Sequence, residues 1–333
     1  MPWLAAADRK NIAIVGICKN AGKTTLLNAV LKHYPDLKWG VLSTGRDGES
    51  TDTVFKTPKP RVQLTPGTIF CADAQSLEEH GSAIRILART PWQRGGNRLY
   101  LASAITAIAT EIGGPGTASA QSDCAVQMHK LGAEKVLIDG SLDRKSVVLS
   151  GSVDSLLLVA GASFGSIGEI IAELERLMTL AAIEPEPKLS AATRNKLRDS
   201  RELMLYAEGS WKPAGFTSLI GKEKELMELL ANNPGITSLY IPGAYSAAQH
   251  HRLNEQLKGI KLLFRHPECL KLPAPELEAF LQKHRPHCLI PFKISAIMIN
   301  SEGIGSDSHD AEQFRIKLRQ AFPKVPLQDL MEL

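Results

Sequence analysis

The chain has 333 residues, of which 44% are hydrophobic and 22% charged, with a formal net charge of +4. That length buries a sizeable core and, at ~150 residues per domain, fits two lobes, while the composition excludes long disorder. No apolar stretch approaches the ~20 residues that cross a bilayer, Met1 to Lys10 lacks a leader-like apolar core, and the mild charge leaves no nucleic-acid footprint, so we expect a cytoplasmic protein with no membrane or nucleic-acid partner.

The first predicted strand is the apolar run Asn11 to Val15, and a helical pattern follows at Leu26, Leu27, Ala29, Val30 and Leu31. Between them stands GICKNAGKTT, Gly16 to Thr25. Strand, small-residue loop and helix in that order predict a phosphate-binding loop, in which backbone N–H groups and a helix N-terminus face the anion. Candidate nucleotide contacts are Gly16, Lys19, Asn20, Ala21, Gly22, Lys23, Thr24 and Thr25. Lys23 is expected to reach the β- and γ-phosphates in a catalytic role, and Thr24 to hold Mg²⁺. Gly16 stands six positions before Gly22, one more than the common pattern. A loop of this length resembles that of dethiobiotin synthetase and its relatives, a branch of P-loop proteins that includes partitioning ATPases and metal-insertion GTPases. Many of those carry a second, signature lysine. Lys19 lies four residues before Lys23, where the signature lysine usually lies five before. A local phosphate contact or a solvated lysine is therefore favoured over a trans-acting role across a homodimer.

Further along, Gly40 to Ser43 reads as the second strand, followed by the polar turn Ser43 to Glu49. Asp47 or Glu49 is a candidate for the Mg²⁺ shell or for positioning a water, with Asp47 taken as a catalytic candidate and Arg46 as a phosphate contact; an ordinary charged turn is the alternative. From about 57 to 101, short runs (Arg61 to Leu64, Thr68 to Cys71, Ile84 to Ala88, Arg98 to Leu101) separated by Pro and Gly predict an antiparallel β insertion. Lys135 to Gly140 is an apolar strand ending in Asp139, a carboxylate suited to Mg²⁺, which prefers a few hard oxygens. Asp143, Arg144 and Lys145 follow as a candidate γ-phosphate cluster.

Ser155 to Ala160 is another buried strand, and Ile167, Ile170, Ile171, Leu174 and Leu177 recur at helical spacing after it. Dethiobiotin synthetase and cobyric acid synthase have a similar strand, glycine-rich turn and helix. A proline- and charge-rich stretch, Glu184 to Lys188, suits a linker into a small second α/β lobe over 185–292, with strands Ser238 to Ile241 and Lys261 to Phe264 and a helix from Glu223 to Leu230. The basic stretch Arg194 to Arg201 reads as one solvated helix face. The histidines gathered in this lobe (His250, His251, His266, His284, His287) match no metal-ligand spacing. Five scattered cysteines without a C-x-x-C pair argue against a disulfide frame, and Cys18 within the loop reads as a plain small residue in preference to a redox-sensitive one. Ile294 to Asn300 is the next strong strand, followed by a helix from about Asp310 to Phe322 and the short run Val325 to Leu327. In the resembled branch an asparagine closing such a strand often lies beside the base. Asn300 is a candidate for that contact, an amide offering donor and acceptor to adenine. No N-K-x-D follows, so ATP is favoured over GTP.

The expected fold is therefore an α/β P-loop NTPase. It comprises a mainly parallel sheet covered by helices in 10–184, an antiparallel β insertion, the second lobe, and a segment 293–333 completing the sheet. GICKNAGKTT, STGRDGE, KVLIDGSLDRKS (Lys135 to Ser146) and LLLVAGAS together resemble the P-loop subunit of the reactivase for adenosylcobalamin-dependent lysine and ornithine aminomutases. The likeness covers mainly 10–165. It implies ATP hydrolysis that drives exchange of damaged cobalamin on a partner aminomutase, with a separate MutS-like reactivase subunit. Two other classes compete. One is a dethiobiotin synthetase-like ATP-dependent enzyme acting on a small carboxylate or amino substrate, disfavoured because Lys38 precedes the second strand instead of ending it. The other is a nucleotide-gated switch or GTPase.

Overall fold

The computed structural model describes residues 9–44, 61–141, 152–302 and 310–333. The chain divides into two compact units, the first made of 1–171 and 292–333 and the second of 172–291. In chain order the first unit opens with strand β1 (Asn11–Gly16), helix α1 (Lys23–His33), β2 (Trp39–Ser43), β3 (Val62–Leu64), β4 (Ile69–Asp73) and the short helix α2 (Ala74–Glu78). There follow β5 (Ile84–Arg94), β6 (Asn97–Ala104), β7 (Ile108–Thr110), α3 (Ala118–Lys130), β8 (Lys135–Ser141), β9 (Ser155–Gly161) and α4 (Ile167–Ala181), inside which the second unit begins. That unit holds α5 (Ala191–Asp199), β10 (Met204–Ala207), β11 (Ser210–Pro213), α6 (Glu223–Asn232), β12 (Ser238–Ile241), β13 (Tyr245–Ser246) and α7 (Ala247–Leu253). It ends with β14 (Lys261–Phe264), β15 (Leu270–Lys271), α8 (Ala274–His284) and β16 (His287–Cys288). The chain then returns to the first unit as β17 (Ile294–Asn300), α9 (Ala311–Ala321) and β18 (Leu327–Asp329).

The first unit is built on one nine-stranded sheet in the order β18-β17-β9-β1-β8-β2-β4-β6-β5. From β18 to β4 every neighbour pair is parallel. Strands buried on both faces need continuous apolar runs, and β1, β9 and β17 supply them, with Ile12, Ala13, Ile14, Leu157, Val159, Ile297 and Met298 all at 2% exposure or less. Helix α1 lays Leu26, Leu27, Val30 and Leu31 into the same core as Ile12, Ile14 and Val41. Because the strands are parallel, their carboxyl ends gather on one side of the sheet. Gly16 pairs with Ser141 on one flank and Val159 on the other, Ser43 pairs with Asp139, and Asn300 with Gly161.

The stretch expected as an antiparallel insertion behaves differently. β4 is a parallel member of the main sheet beside β2; β6 then runs antiparallel to β4, and β5 antiparallel to β6, extending the same sheet to its edge. β3 pairs with β7 in a separate two-stranded antiparallel ribbon. Apolar runs of this length announce strands but carry no record of the neighbour's direction.

In the second unit a five-stranded sheet has the order β11-β10-β12-β14-β16, with β10 and β11 as an antiparallel hairpin and β12, β14 and β16 parallel. The Glu184 to Lys188 stretch lies within this unit, where Pro185 bridges to Cys288 and Glu186 N donates to Cys288 O at 3.1 Å. Helix α5 is not one solvated face. Leu197 is fully buried, and Arg194 turns inward to donate to Leu289 O (3.2 Å) and Glu186 O (2.8 Å). Among the described residues no helix is long and apolar enough to cross a membrane.

Candidate functional site

The candidate site is the turn between β1 and α1. Gly16 closes the buried strand, and Ile17 N donates to Val159 O at 3.0 Å, which keeps the chain beside β9 for one more residue. The backbone then enters positive φ twice, with Asn20 at φ 58°, Gly22 at φ 102° and Ala21 between them outside the left-handed region. Alternation of this kind turns successive N–H groups toward one concave side. Gly22 is the N-cap of α1, and Leu26 N donates to Gly22 O at 2.9 Å. No acidic side chain stands in the first turn of α1, so the positive end of the helix keeps its field.

Contacts from the ends of β9 and β17 and from Leu330 hold this turn. Ala21 is fully buried, and its Cα lies 2.8 Å from where a Cβ on Gly161 would stand, so the end of β9 and the loop touch through backbone. On Gly22 a Cβ would meet Leu330 Cδ1 at 2.8 Å and Asn300 Nδ2 at 3.2 Å. Ser163 Oγ lies 3.4 Å from Lys19 O and 3.5 Å from Cys18 Sγ, so the half-buried Cys18 has a hydroxyl neighbour.

Lys23 is half-buried, and its Cγ passes 3.2 Å from the position of a Cβ on Gly16, which lays the stem of the side chain back over the loop. Thr24 is half-buried in the first turn, whereas Lys19 and Thr25 are exposed. Asp139 lies in register with Ile14 on one side and Ser43 on the other, and its carbonyl oxygen accepts from Thr44 N at 2.7 Å. Asn300 ends β17 with Nδ2 against Gly22, and its Oδ1 is buried without a hydrogen-bond partner among the described residues. Asp47, Arg46, Glu49, Asp143, Arg144 and Lys145 lie outside the described residues. The loop, Asp139 and Asn300 thus share the carboxyl side of the parallel strands, where ligands of α/β sheets collect.

Two supports escaped the sequence reading. Leu330 belongs to the main core and abuts Gly22, and Asp329 beside it is fully buried. Arg315 Nη1 reaches Asp329 Oδ2 at 3.2 Å, while Ser301 N and Met331 N donate to Oδ1 at 3.4 and 3.1 Å. No local signal marks these residues, because Asp329 ends and Leu330 follows a three-residue strand far along the chain from the loop.

Three histidines of the second unit make contacts within it. His250 packs edge-on against Phe280 at 5.3 Å, His284 Nε2 pairs with Asn254 Oδ1 at 3.0 Å, and His251 Nε2 with Glu276 Oε2 at 3.1 Å. Among the described residues no group of three or more His, Cys, Asp or Glu side chains could hold a metal ion. No protein-family model matches the chain, and no curated protein shows significant similarity to it.

Proposed function

We propose that the chain binds a nucleoside triphosphate, ATP in preference to GTP, and hydrolyses it with Mg²⁺. One observation carries this reading: a backbone turn of alternating sign, at the N-terminus of a helix without a first-turn carboxylate, on the carboxyl side of a parallel sheet. Such a concavity is suited to a polyphosphate because it offers several fixed N–H donors and a positive helix end without ordering any side chain. Lys23, already laid over Gly16, would carry the compensating charge to the terminal phosphates. Thr24 in the first turn and Asp139 on the adjacent strand supply the hard oxygens that suit Mg²⁺, which when bound neutralises charge developing on the transferred phosphoryl group. The Asn300 amide, held against the loop with a buried, unused oxygen, is the group on this chain that would meet the nucleotide beside Gly22.

The use made of this hydrolysis follows the sequence resemblance. In that reading the chain is the P-loop subunit of an aminomutase reactivase, and turnover drives exchange of damaged cobalamin on a partner aminomutase together with a second reactivase subunit. The deciding experiment is steady-state hydrolysis of ATP and GTP with Mg²⁺, alone and with a cobalamin-dependent aminomutase carrying inactive cofactor. Stimulation of ATP turnover by the mutase is the expected result. Stimulation by a small carboxylate or amino compound would instead favour a dethiobiotin synthetase-like enzyme, and tighter binding of GTP without turnover a switch. Lys23→Ala is expected to abolish nucleotide binding, whereas Asp139→Asn should lose about 100-fold or more in Mg²⁺-dependent turnover while keeping part of the binding. Unchanged turnover would remove Asp139 from the mechanism.

A further inference from the structure

The second unit contains a cleft of about 560 Å³, within the size range of small-molecule sites. Its floor is one rung of the five-stranded sheet. Trp211 pairs with Tyr206, Tyr206 with Ser238, and Ser238 with Lys261, so four directly opposed residues run across β11, β10, β12 and β14, and all four line the cleft. Directly opposed residues share a face of the sheet, so this row grades from two aromatic rings through a hydroxyl to an ammonium. The rings of Tyr206 and Trp211 lie 5.2 Å apart at 51°, half-buried, with Trp211 packed on the core of Leu197, Met204 and Leu263. They make a shelf anchored along one flank by that core.

The opposite wall comes from α5 and the residues leading into it, Lys188, Ser190, Thr193 and Lys196. Ser190 caps the helix by accepting from Thr193 N at 3.1 Å, and no acidic residue stands in the first turn. Lys196 is held over the shelf, its Nζ donating to Trp211 O at 3.3 Å. Three lysines and one glutamate, Glu186, are the charged residues of the lining. Glu186 is buried and committed to Lys261, with His287 Nδ1 3.7 Å away. Burial pushes the Glu186 carboxyl up, but the hydrogen bond and charge of Lys261 bring it below its ordinary value, so it stays ionised and cancels Lys261. The positive excess therefore rests on Lys188 and Lys196. Aromatic faces attract flat rings, and ammonium groups beside a helix N-terminus attract anions.

We propose that this cleft binds a flat, anionic small molecule, its ring against Trp211 and Tyr206 and its charged group against Lys188, Lys196 and the first turn of α5. This site is separate from the nucleotide loop and does not rest on the function proposed above. The test titrates the full chain carrying Lys23→Ala, which silences the loop, with phenyl phosphate, naphthyl phosphate and flavin mononucleotide, each beside its dephosphorylated counterpart. Calorimetry is expected to show saturable one-to-one binding of at least one phosphate ester, weakened about tenfold or more by removal of its phosphate. The exposed pair Lys188→Gln and Lys196→Gln, which leaves the core intact, should weaken the ester about tenfold and the neutral counterpart little. Trp211→Leu should weaken both, with circular dichroism and the urea midpoint reporting whether the unit remains folded. Absence of saturable binding by all three esters would overturn the proposal. So would equal affinity for ester and neutral counterpart, or lysine variants that bind the ester as the parent does.

Discussion

Gly22 concentrates the demands of the loop in one residue. Its φ of 102° is a conformation that costs an L-residue about 1–2 kcal/mol, and an added Cβ would press on Leu330 Cδ1 at 2.8 Å. Gly22→Ala is therefore expected to destabilise the chain by about 1–3 kcal/mol in urea unfolding and to lose nucleotide affinity. The two causes separate in a double-mutant cycle. Leu330→Ala removes the contact but not the backbone strain, so Gly22→Ala should cost less in that background, and strict additivity would show that the methyl contact is irrelevant. Next to it, Ala21 is a residue of ordinary chemistry whose value lies in size, since Gly161 already leaves its backbone no spare room. The order of strand, tight turn and helix was legible from GICKNAGKTT, because small residues stand there between an apolar run and an amphipathic helical pattern. The expectation for Asn300 concerned a nucleotide base and not Gly22, and neither its contact with Gly22 nor that of Leu330 could be read from the sequence.

At the scale of elements, β18 and α9 are joined by a charge. Asp329 is fully buried, and its partner Arg315 stands on α9 with a side chain 26% exposed. Arg315→Met leaves a buried carboxylate with, among the described residues, the Ser301 and Met331 backbone donors, which should cost about 2–4 kcal/mol. Asp329→Asn in the same background should recover part of that loss, and an Arg315→Met chain as stable as the parent would show that the two backbone donors suffice. Since Leu330 follows Asp329 directly, nucleotide binding should weaken along with stability. Elements buried on both faces announced themselves: β1, β9 and β17 are near-continuous apolar runs, and the alternation of strand-like with helical patterns marked a mainly parallel sheet. β4 was equally visible as a strand, yet its place beside β2 was hidden, because pairing is a property of two segments and Phe70 opposite Val41 leaves no mark in either sequence. The inward turn of Arg194 was hidden for a similar reason: a guanidinium bound to carbonyls reads in sequence like any exposed cation.

Across the whole molecule the two units should answer acid differently. In the second, burial foremost lowers the values of His250 and His284, and neighbouring positive charge on His251 and Lys283 adds to the effect. Glu276 and Glu255 oppose it. Both rings therefore take up protons more readily in the unfolded chain than in the folded one. Their contribution to stability is fully present above the ordinary histidine value of 6.5 and is lost as pH falls through the lowered folded values. We expect the unfolding midpoint of this unit, followed by Trp211 fluorescence in a chain without other tryptophans, to fall between about pH 7 and about pH 5. His250→Phe combined with His284→Gln should flatten that slope. A slope that persists in the double variant would place the acid sensitivity elsewhere.

The interruption of the first unit by the second has a consequence in time. A ribosome delivers the loop at Gly16 to Thr25 early, but β17, Leu330 and the Arg315–Asp329 pair only after the whole second unit has been made. Contacts of such sequence separation form slowly, because a long stretch of chain must be ordered before they reward it. During synthesis the first β-strands must wait with β9 as an unprotected flank, open to other partners. A chain ending at Pro291 should accordingly aggregate more readily than the full chain and retain no measurable nucleotide affinity, a pair of outcomes that sedimentation and a binding titration would check. If the truncated chain bound nucleotide as tightly as the parent, the late strands would be an ornament of the sheet. If it does not, the proposed nucleotide site has a built-in proof of completion, formed only in a chain whose translation has passed its second unit.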